Sequence, residues 1–354
     1  MKRIEELDKN FAPLPVEYEG MTVYDITKEP FQLCGLRQPK QGTFERMPQE
    51  IADTVNSRVK DLNKHTSGGR IRFKTDSAQI IVSAVLPSVG QMSHMPQTGT
   101  SCFDLYVDGR YVAVFIPDFH KENETKRYEA RLDLPGDKGM KDVLIYFPLY
   151  NEVQNVYIAL NEGANVAPSD EYPNSKPVVF YGSSITQGAC ASHPGNCYAS
   201  MVSRALNFDY INLGFAAGCL AEPIMADYIS SLDMDILVYD YDHNAGNIDL
   251  FERTHETFFK TIREKQPNLP IIIISAADRF LGFNENRRKI IKRTYENAIQ
   301  SGDKNVYFID GQDIYKEVGI DLCIVDVIHP NDIGFLCMAK HISAVIEQIY
   351  KLRG

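Results

Sequence analysis

The sequence lacks several features that mark particular classes of protein. None of its apolar runs reaches the roughly 18 residues that a membrane helix needs, and its N-terminus, Met-Lys-Arg-Ile-Glu-Glu-Leu-Asp-Lys, has no apolar signal core. The seven cysteines include no Cys-x-x-Cys pair, and the eight histidines show no His-x-x-x-His spacing. The sequence therefore predicts no membrane span, no disulfide framework and no zinc site, and we expect a cytoplasmic protein with reduced thiols.

Basic charge is also scarce. Lys and Arg total 37 against 47 Asp and Glu, which gives a net charge of -10, and no basic run is present. Such a chain repels phosphate backbones and anionic lipid surfaces, so neither nucleic acid nor a membrane is an expected partner. The chain has no internal repeat and no low-complexity segment, and its composition excludes disorder, collagen and a coiled coil as the main architecture. The 354 residues, 44% of them hydrophobic, predict a globular protein of about two domains.

The first half consists of short β-type runs separated by Gly, Pro, Asn and Asp. One weak helical pattern covers residues 48–62, and Asp108-Gly109 is a strong hairpin signal between two runs. This pattern predicts a β-sandwich, with a jelly roll as one form, over residues 1–167. The predicted strands are residues 21–26, 71–73, 79–86, 102–107, 111–116, 128–134, 143–147 and 153–160.

The second half alternates short apolar runs with helical patterns. Residues 168–177 contain three prolines among polar residues and predict a linker, and residues 178–354 form the second predicted domain. Its last helix is expected over residues 333–352, behind Asn331 and Asp332 as capping candidates. Strands alternating with helices predict a five-stranded, parallel, doubly wound α/β domain. The predicted strands are residues 178–181, 210–213, 236–239, 271–275 and 306–309.

The loop after the first of these strands, Gly182-Ser183-Ser184-Ile185-Thr186-Gln187-Gly188, offers a serine at the carboxyl edge of the sheet. Functional groups of parallel α/β sheets gather at this edge. A serine is a weak nucleophile unless a base takes its proton. On its own, the heptapeptide is equally well explained as a Gly/Ser-rich turn.

A candidate base lies near the end of the chain, in Asp326-Val327-Ile328-His329-Pro330. An Asp three residues before a His in a loop can turn its carboxylate onto the imidazole Nδ1. This contact leaves Nε2 free to accept a proton. Because Pro330 disfavours helical geometry at the preceding residue, it helps to keep His329 in the loop. Together with the serine loop, this motif predicts a Ser-His-Asp triad.

Two further loops can supply donors for an oxyanion hole. The small residues of Asn212-Leu213-Gly214-Phe215-Ala216-Ala217-Gly218 can present backbone N–H groups, and the segment 240–244 ends in Asn244, whose side-chain amide is a donor. Each loop taken alone is more readily explained as a structural turn.

These four segments, in this order, resemble the four conserved blocks of the SGNH (GDSL-like) hydrolase superfamily. The first half resembles the β-sandwich of a bacterial branch of that superfamily, because Phe103-Asp104-Leu105-Tyr106 is similar to its Gly-x-Asp-Leu-Tyr signature with the glycine absent or shifted. An α/β-hydrolase is disfavoured, because its nucleophile lies in Gly-x-Ser-x-Gly.

The resemblance implies a role for each matching residue. It implies Ser184 as the nucleophile, with Ser183 where many members have Asp, and it implies His329 as the base and Asp326 as the acid. The oxyanion hole would use the Ser184 N–H, the Asn244 amide, and an N–H of either Ala217 or Gly218. No metal or organic cofactor is expected.

The function predicted from these residues is that of a serine esterase. Its expected substrate is a short-chain acyl ester, with acetyl favoured, on a carbohydrate, either a small molecule or an oligosaccharide. The alternatives are an inactive carbohydrate-binding protein and a lipase that acts on longer acyl chains. The oligomeric state is left open.

Overall fold

The computed structural model describes residues 17–118, 126–136, 139–277 and 283–353. Residues 1–16 of the predicted first domain lie outside this description. The described chain forms an antiparallel β domain followed by a parallel α/β domain, which confirms the predicted fold class.

The first domain is built from two antiparallel sheets. Its strands are β1 (Met21–Asp25), β2 (Gln32–Cys34), β3 (Arg37–Lys40), β4 (Thr43–Glu45), β5 (Arg70–Thr75), β6 (Gln79–Val85), β7 (Phe103–Val107), β8 (Arg110–Phe115), β9 (Arg127–Asp133), β10 (Lys141–Tyr146), β11 (Gln154–Asn161) and β12 (Val166–Ala167). One sheet has the order β1-β11-β6-β9 and the other the order β12-β5-β10-β7-β8, with β2 paired to β5. The small strands β3 and β4 pair with each other.

One apolar core joins these two sheets. Ile80 and Val82 of β6 belong to the same buried cluster as Phe73 of β5 and Ile145 of β10. The edge strand β9 shows the period-two pattern that such packing requires, because Tyr128 is buried and its neighbour Glu129 is exposed. All eight strands expected in this half are present, with ends that differ by one or two residues. The short strands β2, β3, β4 and β12 were not predicted, because their residues show no apolar alternation.

The helical pattern at residues 48–62 forms two helices, not one. Helix α1 (Gln49–Val55) ends before Asn56, which has extended backbone angles and whose side chain accepts a hydrogen bond from the N–H of Val59. Asn56 thereby caps the second helix, α2 (Ser57–Leu62). Val59 and Leu62 lie in a core cluster of the α/β domain, so this segment of the first domain packs against the second. A further short helix of the first domain is α3 (Gln97–Thr100).

The second domain contains the predicted five-stranded parallel sheet, in the order β14-β13-β15-β16-β17. Alternate residues of β13 belong to different clusters: Val178 and Phe180 to one, and Val179 and Tyr181 to the other. This central strand is therefore buried on both faces. The strands are β13 (Val178–Gly182), β14 (Tyr210–Gly214), β15 (Ile236–Asp240), β16 (Ile271–Ile274) and β17 (Val306–Ile309).

The helices of this domain cover both faces of the sheet. They are α4 (Ser184–Gln187), a 3-10 turn (Pro194–Asn196), α5 (Tyr198–Leu206), α6 (Pro223–Ser231), α7 (Ile248–Lys265), α8 (Phe283–Gln300), α9 (Gly311–Ile314), α10 (Ile320–Cys323) and α11 (Asp332–Arg353). The cap of α11 is Asn331, whose Oδ1 accepts from the N–H groups of Ile333 and Gly334 at 2.9 and 3.1 Å. No helix within the described ranges is long and apolar enough to cross a membrane.

The segment 168–177 contains neither helix nor strand, but it is packed against the first domain. Ser169 is buried, and its carbonyl accepts from the side chain of Gln32 at 3.1 Å. The guanidinium of Arg72 lies 3.9 Å from the ring centre of Tyr172. These contacts fix the path of the chain between β12 and β13.

The register of the sheet determines which loops meet. Gly182, the last residue of β13, is aligned with Gly214 of β14 on one side and with Asp240 of β15 on the other. The three loops that contain the predicted serine and the predicted oxyanion donors therefore begin at one level, at the carboxyl edge of the sheet.

Candidate active site

The two adjacent serines at this edge have different environments. Ser183 is buried, and its Oγ accepts a hydrogen bond from the N–H of Ile185 at 3.2 Å, so it is the N-cap of α4. Ser184 is the first residue of α4, and its Oγ lies 2.9 Å from Nε2 of His329. Ser184 is thus the serine that faces an imidazole, and Ser183 holds the turn that presents it.

Close packing of backbone at this turn depends on two glycines. A Cβ at Gly182 would lie 2.0 Å from Oγ1 of Thr186, and a Cβ at Gly214 would lie 2.2 Å from the amide nitrogen of Gln187. Any larger residue at either position would push α4 away from the sheet. The glycines therefore allow the serine turn to lie directly against the ends of β13 and β14.

A buried carboxyl lies beneath the serine turn. Asp240 Oδ2 accepts hydrogen bonds from the hydroxyls of Thr186 and Tyr198, both at 3.0 Å. Burial raises the pKa of Asp240 to about 6, although these two donors and His243 act in the opposite direction. Asp240 was not predicted as a site residue. The signal that could have identified it is an Asp at the end of a buried strand, Ile-Leu-Val-Tyr-Asp.

The loop before α11 holds the imidazole. Nδ1 of His329 lies 2.8 Å from Oδ2 of Asp326, and Oδ1 of Asp326 accepts from the backbone N–H groups of His329 and Ile328 at 2.7 and 2.8 Å. Partial burial tends to raise the pKa of Asp326, but the hydrogen bonds from His329 and Ile328 outweigh it and lower the pKa to about 2. The carboxylate is therefore ionised at neutral pH and faces the Nδ1 edge of the ring.

Asp332 anchors the end of this loop to the loop that follows α4. Its Oδ1 accepts from the N–H of Ser192 at 2.8 Å, and its Oδ2 accepts from Nδ2 of Asn196 at 3.0 Å. Asp332 thus links the two loops, and Asn331 is the residue whose side chain caps α11. The hydrogen bonds of Asp332 connect the loop that carries His329 to the serine-bearing segment.

The hydrogen bonds of the loop after β14 distinguish the two candidate backbone donors, the N–H groups of Ala217 and Gly218. The N–H of Gly218 donates to the carbonyl of Phe215 at 2.9 Å, and the N–H of Ala216 donates to Oε1 of Gln187 at 3.0 Å. Among the described residues, the N–H of Ala217 has no protein acceptor. The N–H of Gly218 is therefore used within the turn, and of the two candidate donors the N–H of Ala217 is the one left available. Ala217 has a φ of 56°, in the left-handed region that favours glycine.

Asn244 is oriented by the same loop. Its Oδ1 accepts from the N–H of Cys219 at 3.3 Å, and Nδ2 has no acceptor within the described part of the chain. The buried Arg287 of α8 holds the backbone on both sides, because it donates to the carbonyl of Asp242 at 2.7 Å and to that of Ala245. The amide of Asn244 is thus held at the same edge as the loop that contains Ala217.

The first domain also contacts the serine turn. The hydroxyl of Tyr150 donates to the carbonyl of Ser184 at 3.1 Å, and the hydroxyl of Ser67 donates to the carbonyl of Gln187 at 2.6 Å. Neither residue was predicted, because each comes from a segment of ordinary loop composition. The β domain is therefore part of the framework of the site.

Arg46 is a further contribution of the first domain. Its guanidinium is fully buried, donates to the carbonyls of Asn212 and Gly214, and lies 4.3 Å from the ring centre of Phe215. Burial lowers the pKa of Arg46 to about 9, and the side chain remains charged at neutral pH. It supports the end of β14 from which the Ala217 loop departs.

Family models match both halves of the chain. A model of the GDSL-like lipase/acylhydrolase family matches residues 175–347, and a model of the N-terminus of SGNH-hydrolase-type esterases, named for its GxDLY signature, matches residues 21–166. The chain belongs to the GDSL-like (SGNH) hydrolases with an N-terminal β domain of this type. It is a carboxylic ester hydrolase.

Solved structures show the same two-domain arrangement. A protein from Bacteroides ovatus, described as a GDSL-like lipase, is 26% identical with a TM-score of 0.81, over 94% of this chain and 98% of its own. The salicylyl-acyltransferase SsfX3 of a tetracycline biosynthetic pathway is 24% identical with a TM-score of 0.75, over 93% and 98%. A family two carbohydrate esterase from Clostridium thermocellum, in complex with cellohexaose, is 16% identical with a TM-score of 0.59, over 80% and 93%. A comparison with curated protein sequences gives no match.

Proposed function

We propose that the protein is a serine esterase that removes short acyl groups, acetyl above all, from a carbohydrate. The single observation that carries the catalytic part is the chain of hydrogen bonds from Asp326 through His329 to Ser184, with distances of 2.8 and 2.9 Å. Binding alone does not require an activated serine, so this arrangement favours an enzyme over an inactive carbohydrate-binding protein.

In the proposed reaction, Ser184 Oγ attacks the ester carbonyl while Nε2 of His329 takes its proton. The same imidazole then returns the proton to the leaving alcohol, and water releases the acyl group by the reverse sequence. The ionised Asp326 keeps the proton of the neutral ring on Nδ1, so that Nε2 is the acceptor, and it stabilises the imidazolium that forms.

The tetrahedral intermediate needs donors for its negative oxygen. The N–H of Ser184 has no intrahelical acceptor, since it is the first of α4, and the N–H of Ala217 and the Nδ2 of Asn244 are unused within the described residues. Each donor of this kind is worth roughly 3–4 kcal/mol in acyl transfer. We assign the oxyanion hole to these three groups.

The carbohydrate part of the proposal rests on analogy with the carbohydrate esterases that share the fold, and fold by itself does not determine the substrate. The loop between α10 and α11 spans only residues 324–331, which is too short to form an apolar lid over a fatty chain. This supports a short acyl group.

One observation favours a second candidate, an esterase for longer acyl chains. Leu322, Val325 and Val327 belong to α10 or to the loop that carries Asp326 and His329, and their exposed fractions are 53%, 47% and 47%. Exposed aliphatic groups beside a catalytic imidazole can bind an acyl chain. Each methylene is expected to contribute at most roughly 1–3 kcal/mol to such a preference.

Two measurements test the proposal. Activity on p-nitrophenyl acetate should be lost in Ser184→Ala, down to a small residual rate, while Ser183→Ala should keep most activity and lose about 1 kcal/mol of stability as a cap. Comparison of kcat/KM for p-nitrophenyl acetate, butyrate and octanoate, and release of acetate from acetylated oligosaccharides, then define the substrate. A steady rise toward octanoate would replace the acetyl proposal with the second candidate. Full activity in Ser184→Ala would refute the triad.

A further inference from the structure

Three metal-ligating side chains meet beside the candidate base. His94, Cys190 and His329 each offer one ligand atom, and these atoms lie within 4.8 Å of one another. They come from three distant parts of the chain: the first domain, the loop after α4 and the loop before α11. Sequence spacing therefore gives no sign of this group.

The first domain brings His94 to the site on a tight turn. The N–H of Met95 donates to the carbonyl of Met92 at 3.3 Å, which closes the turn with His94 near its tip. The ring centre of His94 is 5.3 Å from that of His329. Cys190 is a free, buried cysteine and supplies the third ligand atom of the group.

The orientation of His329 suits a metal ligand. Its Nδ1 is bound to Asp326 at 2.8 Å, which leaves Nε2 as the atom available to an ion. Histidine ligands of zinc commonly have a carboxylate bound to the other ring nitrogen in this way, since the contact fixes the ring and increases its basicity.

We propose that His94, Cys190 and His329 bind Zn²⁺ and that the bound ion reversibly inhibits the esterase, an inference that rests on the proposed function for its inhibitory part. Two imidazoles and one thiolate suit Zn²⁺ and exclude Mg²⁺ and Ca²⁺, which prefer oxygen ligands. Binding replaces the proton of the Cys190 thiol, which passes to solvent, and water takes the fourth position. The Nε2 lone pair of His329 is then held by the metal and cannot accept the proton of Ser184.

Binding of the ion requires the three ligand atoms to move slightly closer together. Zn–N bonds of about 2.0–2.1 Å and a Zn–S bond of about 2.3 Å place the ligand atoms of a tetrahedral site roughly 3.3–3.6 Å apart. The present separations, which are within 4.8 Å, therefore need to shrink by about 1.2–1.5 Å at most. His94 is the ligand best able to make this approach, because it lies near the tip of the Met92–Met95 turn.

The experiment compares zinc binding with inhibition in the full-length, chelator-treated protein. Isothermal titration calorimetry with Zn²⁺ should show one site per chain, and the same Zn²⁺ concentrations should abolish hydrolysis of p-nitrophenyl acetate until EDTA is added. His94→Phe, which keeps a ring at this position, and Cys190→Ser should each weaken binding at least ten-fold and remain active in Zn²⁺. His341→Gln and Cys34→Ser, which alter residues outside the group, should behave like the wild type.

The outcomes separate this inference from the proposed function. Ser184→Ala should bind Zn²⁺ as the wild type does, because Ser184 is not a ligand. Zinc binding that depends on His94 and Cys190 in a protein without esterase activity would refute the proposed function and the inhibition, and would leave the metal site intact. Equal zinc affinity in His94→Phe, Cys190→Ser and the wild type would overturn the site. Zinc binding without inhibition would overturn the regulatory role.

Discussion

The carboxylate of Asp326 contacts His329 at two places: Oδ2 lies 2.8 Å from the ring Nδ1, and Oδ1 lies 2.7 Å from the backbone nitrogen. The first contact orients the imidazole and the second holds the loop. Because these two contacts use different oxygens, substitution can separate them.

Asp326→Asn should reduce kcat on p-nitrophenyl acetate roughly 10⁴-fold without unfolding the loop. The amide oxygen of Asn can still accept the backbone N–H groups, but its NH₂ group would face Nδ1 and favour the tautomer with a proton on Nε2. Steady-state kinetics measure the loss, and an unchanged thermal midpoint shows that the loop is intact. A decrease of less than ten-fold would contradict the orienting role.

Asn244→Ala should lower kcat roughly 100- to 1000-fold and leave KM nearly unchanged, because an oxyanion donor acts in the transition state. Asn247 provides a matched control three residues later: its Oδ1 accepts from the N–H of Leu250 at 2.8 Å and caps α7. Asn247→Ala should cost about 1 kcal/mol of stability without changing kcat. If both variants retain wild-type kcat, Asn244 has only a structural role.

Ala217→Gly should increase the free energy of unfolding by up to about 1 kcal/mol and preserve kcat. The φ of 56° at Ala217 costs an alanine more than a glycine, whereas the N–H donor is the same in both residues. Ala216→Gly is the control and should be destabilising by about 0.5–1 kcal/mol, because its φ is not positive. Urea denaturation of both variants measures these changes in the free energy of unfolding. Destabilisation by Ala217→Gly would argue against backbone strain at Ala217.

Asp240 predicts a pH dependence of stability. Burial raises its pKa from 3.8 to about 6 in the folded protein, so the folded state binds a proton that the unfolded state has released between these values. The contribution of Asp240 to the free energy of unfolding is therefore largest below about pH 4. It decreases as the pH rises to about 6, by up to roughly 3 kcal/mol. Asp240→Asn, which cannot ionise, should show a smaller decrease over this range. Parallel slopes of unfolding free energy against pH would contradict the assignment.

Local sequence was sufficient to predict the parts of the site that lie close together in the chain. Asp326 and His329 are three residues apart, and the contact between them requires only a loop. Ser184 follows a buried strand directly, and the parallel sheet makes its position at the carboxyl edge a consequence of the fold class. The helix at 48–62 was predicted as one element because its apolar spacing is continuous, whereas the capping side chain of Asn56 divides it.

Sequence by itself predicted the order of the β and α/β domains and the parallel sheet, and it proposed the serine loop and the Asp-x-x-His pair, because strand periodicity and short motifs depend on neighbouring residues. Only the tertiary structure showed that the Ser184 hydroxyl lies against His329, and that Tyr150, Ser67 and Arg46 of the first domain support the site. Within the described residues, it also left the N–H of Ala217 without an acceptor while that of Gly218 is bonded. It also brought His94 and Cys190 to the imidazole of His329. These relationships depend on the packing of distant segments, and the hydrogen bonds and approach distances that define them arise only when the two domains share an interface.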